Sequence, residues 1–246
     1  MRSIITLLIG ILGALACSVV VQAEPMELKP VDEDTFAGRR VNAWMDTFKA
    51  AEHARKREEY RRTVWAEEAK RIAESKQNVV RDDDELYVNL DVPNLPRSIV
   101  LRNIWGVDPA GLYEYLFYDQ NAGFHIVGIS GHDLPGLYLI SSRTGLVYQA
   151  FGADMPLYSP DKRRFLSRGF QGMGCTAGVA LYKFENDKPF EEGFFATGCD
   201  VCSYEWLSPV EIKSTCREYG HEDRKHEHRL IHRDGKWSST RTPAAK

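Results

Sequence analysis

From residue 86 onward the chain is cut into short apolar segments by turn residues, and no other feature of its 246 residues limits the fold as strongly. Strand-like runs occupy 86–92, 98–104, 113–118, 124–129, 137–140, 146–151, 164–167, 179–184, 194–197, 211–216 and 227–232. Gly, Pro, Asn and Asp collect between them, where a chain must reverse and leave a sheet. This spacing predicts a mainly β fold: antiparallel sheets of propeller-blade-like or sandwich type.

The preceding stretch has a different texture. From Thr35 to Lys76 there is no Pro, Gly38 is the only Gly, and Ala, Glu, Lys and Arg dominate, which predicts a long N-terminal helical arm. Val41, Trp44, Phe48 and Ala51 recur at heptad spacing, as do Trp65, Ala69 and Ile72. The same seam would carry Arg55, Glu58 and Arg62 between them, so two amphipathic halves with a solvated middle are expected. The basic set Arg55, Lys56, Arg57, Arg61 and Arg62 would suit an anionic surface, but Glu52, Glu58 and Glu59 dilute it, and a solvated charged face is the expectation. Residues 24–34, rich in Pro and acid, read as a linker. The domain reading is 1–23 signal peptide, 24–84 linker and charged amphipathic arm, and 85–246 β domain.

The first residues carry the three parts of an export signal. Met1 and Arg2 give a basic start, residues 4–15 an apolar run, and Val21-Gln22-Ala23 a small residue before the cut, which places cleavage after Ala23. Ala14-Leu15-Ala16-Cys17 also resembles a lipobox, which would make Cys17 an acylated N-terminus. Ala14 stands where Leu is usual, however, and the apolar run continues to Val21. The expected location is periplasmic or secreted, and no other stretch is apolar enough to span a membrane. About 220 residues then remain, enough for one good core plus an appendage, or for two small domains. A net charge of -3 gives no footprint for nucleic acid.

Removal of Cys17 leaves Cys175, Cys199, Cys202 and Cys216. An even count in an oxidising compartment predicts two disulfides, with three pairings open; Cys175–Cys199 and Cys202–Cys216 would each lie within one repeat unit. The repeat itself is a strand, a long loop, a strand, a tight turn and a strand. One copy runs from Leu157-Tyr158-Ser159-Pro160-Asp161-Lys162 through residues 180–184 and the turn Asn186-Asp187 to 194–196. The next runs from Trp206-Leu207-Ser208-Pro209 through Ile212 to 229–232, Asp234-Gly235 and Trp237. Residues 124–148 form a related unit. Pro sets φ for a turn and cannot donate to a ladder, so the Ser-Pro element fits between strands. These units resemble the Ser-Pro-Asp-Gly blades of TolB-like β-propellers over residues 112–240, with Lys162 at the Gly position and residues 86–111 as a candidate fourth unit. The resemblance implies architecture alone and carries no functional residue.

Three constellations bear on chemistry. Cys199-Asp200-Val201-Cys202 is a CxxC, but a thioredoxin-type thiol needs a helix N-terminus, and the flanking residues read as strand and loop. His226, His228 and His232 would share one strand face as candidate metal ligands, in a segment that Arg224, Lys225, Arg229 and Arg233 make unfavourable for a dication. Gly128-Ile129-Ser130-Gly131 and Gly172-Met173-Gly174 lack the frames that nucleophile elbows and phosphate cradles require. The resulting expectation is an exported, non-enzymatic binding or structural module without a cofactor. Its partner would be a protein or cell-envelope component, met by loops such as 170–176 and 218–225. The alternatives are a periplasmic thiol oxidoreductase through Cys199 and Cys202, or a metal-dependent enzyme through the His cluster.

Overall fold

The structure is a computed structural model that describes residues 25–30, 50–92, 95–103, 111–130, 136–152, 155–171, 176–198, 201–218 and 220–243. Strand β1 is Met26–Glu27; helix α1 (Ala50–Tyr60), a π-helical turn (Arg61–Trp65) and helix α2 (Ala66–Ser75) follow. The remaining strands are β2 (Val79–Asp82), β3 (Glu85–Val92), β4 (Leu95–Arg102), β5 (Leu112–Asp119), β6 (Phe124–Ser130), β7 (Gly136–Ser141), β8 (Val147–Phe151), β9 (Leu157–Tyr158), β10 (Arg164–Gln171), β11 (Thr176–Glu185), β12 (Lys188–Gly198), β13 (Val201–Ser208), β14 (Glu211–Glu218), β15 (His221–Arg233) and β16 (Lys236–Pro243).

These strands form four antiparallel sheets: β2-β3-β4, β5-β6-β7-β8, β1-β12-β11-β10-β9 and β13-β14-β15-β16. Three cores show that the sheets stack face to face in chain order. The first holds Leu86, Val88, Ile99 and Leu101 against Tyr115, Val127 and Ile140. The second sets Phe124, Ile126, Leu137 and Leu139 against Phe165, Ala180 and Tyr182, and the third sets Leu166, Val179, Leu181 and Phe195 against Ile212, Leu230 and Trp237. Burial follows from position in the stack. The outer sheets alternate, as β3 does with Leu86, Val88 and Leu90 inward, because one face meets water. In the inner sheet β7 is buried at every residue, because both faces are covered.

Where the chain must reverse tightly it uses left-handed residues. Asn186 and Asp187 have φ of 51° and 62°, and Asp234 and Gly235 have 52° and 79°, the signs a two-residue hairpin turn needs to match strand twist. Lys162 also sits at φ 58°, in the Ser-Pro turn where the blade pattern has Gly.

The N-terminal region differs from expectation. Residues 35–49 lie outside the described residues, and with them Trp44 and Phe48; the described helical run starts at Ala50, and no long free arm is supported. Its second half, α2, lies along β5 instead of projecting. Glu68 is fully buried there, and its two oxygens accept from Arg81 Nε and NH2 at 2.8 Å each. β5 is an edge strand, whose outward backbone groups would otherwise be open to another strand. They are taken in turn: Tyr113 N–H donates to Asn103 Oδ1 (2.7 Å) and Tyr115 N–H to Glu68 Oε1 (2.6 Å). The Tyr113 carbonyl accepts from Arg81 (2.6 Å) and the Tyr115 carbonyl from Arg71 (3.0 Å). Charged side chains of α2 thus help to close a sheet edge. The basic side chains further up are also paired internally, Arg57 with Asp83 and Asp84, and Arg61 with Asp83.

Residues 24–34, expected as a linker, are partly built in. Met26 and Glu27 pair with β12, Leu28 enters the second core, and Leu28 N–H donates to Pro189 O at 3.1 Å. The strand pairing likewise begins at Val79, ahead of the expected boundary at residue 84.

Candidate functional site

The residues with the most chemistry lie on the last sheet. Alternation divides each of its strands between an inner and an outer face. Ile212, Ser214 and Cys216 are buried on β14, with Lys213 and Arg217 on the other face. Register then lines up the inner residues of all four strands. Cys202 faces Cys216, which faces His226; Tyr204 faces Ser214, which faces His228, which faces Arg241. The rows below are apolar, with Trp206, Ile212 and Leu230 packed against the neighbouring sheet. The Cys/His end is therefore a polar patch at the margin of a hydrophobic sheet face.

Cys202 and Cys216 form a disulfide, with Cα atoms 4.0 Å apart and a sequence separation of 14. The expected bridge is present. Cys175 and Cys199 lie outside the described residues. Because Cys202 bonds across the hairpin, the CxxC pair is not joined, and Cys202 stands inside a strand, away from any helix dipole that would activate a thiolate.

The ligand atoms of Cys216, His226 and His228 all lie within 4.8 Å of one another. The two imidazoles meet edge to face with centroids 4.9 Å apart. His226 is 5% exposed and Cys216 fully buried. Around them the hydrogen bonds assign themselves. Cys216 carries no S–H, so the buried Ser214 hydroxyl donates to its Sγ at 3.2 Å. A guanidinium has no acceptor, so Arg241 donates to His226 Nδ1 at 3.3 Å, which leaves the His226 proton on Nε2.

His232, the third expected imidazole, is not part of this group. Its ring lies tilted against that of Trp237, its partner across the hairpin, with centroids 5.2 Å apart, and burial holds its pKa below the usual histidine value. Leu230 separates it from His228 on the same face. Sequence reasoning placed Cys216 in a disulfide and missed its meeting with the histidines, since it sits ten positions from His226 in sequence and one strand away in space. Its sequence signal is the Ser208-Pro209 turn, which folds β14 back on β13.

Other buried ionisable groups hold elements together. Arg164 donates to both oxygens of Glu192 at 2.7 and 3.1 Å, and Trp237 Nε1 donates to Glu192 at 3.0 Å, tying the third sheet to the fourth. His125 is 2% exposed beside Tyr115 and Tyr118, and burial lowers its pKa to about 4. No described helix is long and apolar enough to cross a membrane. No family model, curated protein or solved structure matches this chain, so the chemistry of the site rests on its own geometry.

Proposed function

We propose that this chain is an exported binding or structural module of the cell envelope or secreted fraction, acting through its surface and without catalysis. One observation carries the reading. Of the seven large apolar side chains exposed among the described residues, four lie on two segments joined by a hydrogen bond: Met155 and Leu157 at β9, and Leu207 and Val210 on the β13–β14 hairpin, each 40–52% exposed. Trp206 Nε1 donates to the Leu157 carbonyl at 2.9 Å, joining the β9 edge to the hairpin that bears Leu207 and Val210. Isolated exposed apolar residues are ordinary, whereas grouped ones mark contact surfaces. The buried charges support the same reading, since Glu68–Arg81 and Arg164–Glu192 join one element to another.

The architecture supports blade-like units, with two four-stranded meanders, β5 to β8 and β13 to β16, inside the stack. Export is compatible with the fold at its start. Cleavage after Ala23 leaves Met26, Glu27 and Leu28 in place on β12.

The test is photo-crosslinking in the native host, with the reactive residue placed at Leu157, Leu207 or Val210, and at Val80 or Leu146 as controls. The expected result is a common adduct with an envelope or secreted component from the three junction positions alone, on a chain whose mass begins at Glu24. Equal adducts from the controls, none from the junction, or a cytoplasmic chain retaining residues 1–23 would refute the proposal.

A further inference from the structure

We propose that the last sheet carries a redox-gated zinc site, with Cys202, Cys216, His226 and His228 as its four ligands and their disulfide as the gate. The inference is independent of the docking surface above, which lies at the other end of the β13–β14 hairpin.

The donor set suits the ion. Two thiolates and two neutral imidazoles in tetrahedral array are a common structural set for Zn2+, a borderline-soft cation with no geometric preference of its own. Three adjacent strands deliver these donors from directly opposed positions, Cys202 opposite Cys216 and Cys216 opposite His226, with His228 two residues along the same face. Three of the ligand atoms already lie within 4.8 Å of one another, and Cys202 Sγ is bonded to one of them. Zinc bonds of about 2.3 Å to sulfur and about 2.0–2.1 Å to nitrogen place tetrahedral ligand atoms about 3.3–3.8 Å apart. The remaining closure is roughly 1 Å, within reach of side-chain rotation on a fixed backbone.

Of the surrounding groups, Ser214 suits a metal-bound thiolate. Ser214 already directs its hydroxyl at Cys216 Sγ, the hydrogen bond a thiolate ligand accepts. Arg241 would repel a bare dication, and the basic residues along β15 argue against a site built from histidines alone. Two thiolates cancel the charge of Zn2+, however, so the loaded site is neutral and Arg241 faces no net cation. This is why His226, His228 and His232 do not make a site, and why the cysteines must be reduced before one exists.

The steps balance. A dithiol reductant transfers two electrons and two protons to the Cys202–Cys216 bond, leaving two thiols and an oxidised reductant. Zn2+ then displaces both thiol protons and the Arg241 hydrogen bond at His226 Nδ1, and forms two S–Zn and two N–Zn bonds. Oxidation by a disulfide oxidant reverses the sequence and expels the ion.

The experiment uses the mature full chain, with Co2+ as the spectroscopic probe and Zn2+ as competitor. Oxidised protein should bind no Co2+ tightly. Protein reduced with a phosphine should bind one Co2+ per chain, with intense tetrahedral d–d bands and a thiolate charge-transfer band, both bleached by Zn2+. Cys175→Ser/Cys199→Ser should behave as wild type. His226→Gln/His228→Gln, checked in its oxidised form for an unchanged circular dichroism spectrum and melting temperature, should lose more than roughly tenfold in Co2+ affinity, since even supporting residues around a metal are worth 10–100-fold. X-ray absorption at the zinc edge should count two sulfur and two nitrogen ligands. Equal binding by oxidised protein, absence of the tetrahedral bands on reduction, loss of binding in Cys175→Ser/Cys199→Ser, unchanged affinity in the histidine variant, or four sulfur ligands would each overturn the proposal.

Discussion

Replacing Glu68 with Ala tests how the helix is joined to the sheets. Glu68 is fully buried, and its carboxylate accepts two hydrogen bonds from Arg81 and one from the Tyr115 amide. Truncation leaves the 10%-exposed Arg81 guanidinium without its counter-charge and strands an edge-strand N–H. Removing one partner of a buried ion pair costs about 3–5 kcal/mol, mostly because the other charge stays buried. For a chain of this size each kcal/mol moves the melting temperature by roughly 2–4 °C, so a loss of roughly 6–20 °C is expected. Urea denaturation followed by circular dichroism gives the free energy directly. Glu68→Met/Arg81→Met should recover at least half of the loss, because it removes both charges and keeps apolar volume against the Trp65 ring, over which the Arg81 guanidinium lies at 5.3 Å. The reasoning is refuted by a loss under about 1 kcal/mol for Glu68→Ala, or by a double variant no more stable than the sum of the two single changes.

Three further outcomes are expected. Cys202→Ala/Cys216→Ala should lose about 3 kcal/mol in denaturant unfolding, the chain-entropy value for a loop near 15 residues, and an undiminished midpoint would deny the disulfide any part in stability. His125 has its folded pKa lowered to about 4 by burial against an unfolded value near 6.5, so the unfolded chain takes up the proton first and stability falls as pH drops through that window. The loss should reach about 2 kcal/mol near pH 5 and be absent in His125→Phe, and identical pH profiles for the two proteins would contradict it. Lys162→Gly should stabilise the chain by up to about 1 kcal/mol, because it relieves a left-handed side chain at φ 58° and only part of that gain is offset by the looser unfolded state; a lower melting temperature would show that Lys162 contributes a contact instead.

Strand existence was legible in the sequence, because side-chain alternation and turn chemistry are local properties. The segments at 124–129 and 137–140 fall on β6 and β7, and the hairpin turns at Asn186-Asp187 and Asp234-Gly235 were readable from residue type alone. β13 and β16 were not, since Val201–Ser208 alternates polar with aromatic residues and Lys236–Pro243 is mostly polar. Both strands are held by register with their neighbours more than by their own hydrophobicity. The role of Glu68 was not legible for a related reason: nothing local to the helix shows that a sheet edge lies against it.

The candidate site divides along the same line. That Cys216, His226 and His228 lie on strands, with the histidines on one face, follows from the residues themselves and a period of two. Which of them meet depends on register. Between Trp206 and Ser208 a bulge shifts the pairing by one residue, so that Cys202 faces Cys216; regular pairing continued from Ser208 opposite Glu211 would set it against Arg217. A second irregularity between Arg217 and Glu218 lets β15 bring His226 opposite Cys216. A slip of one residue turns every side chain to the other face of the sheet. Ile212, Leu230 and Trp237 packed on the third sheet oppose that slip, and so the tertiary core, acting from the far end of the strands, decides whether sulfur and imidazole come together.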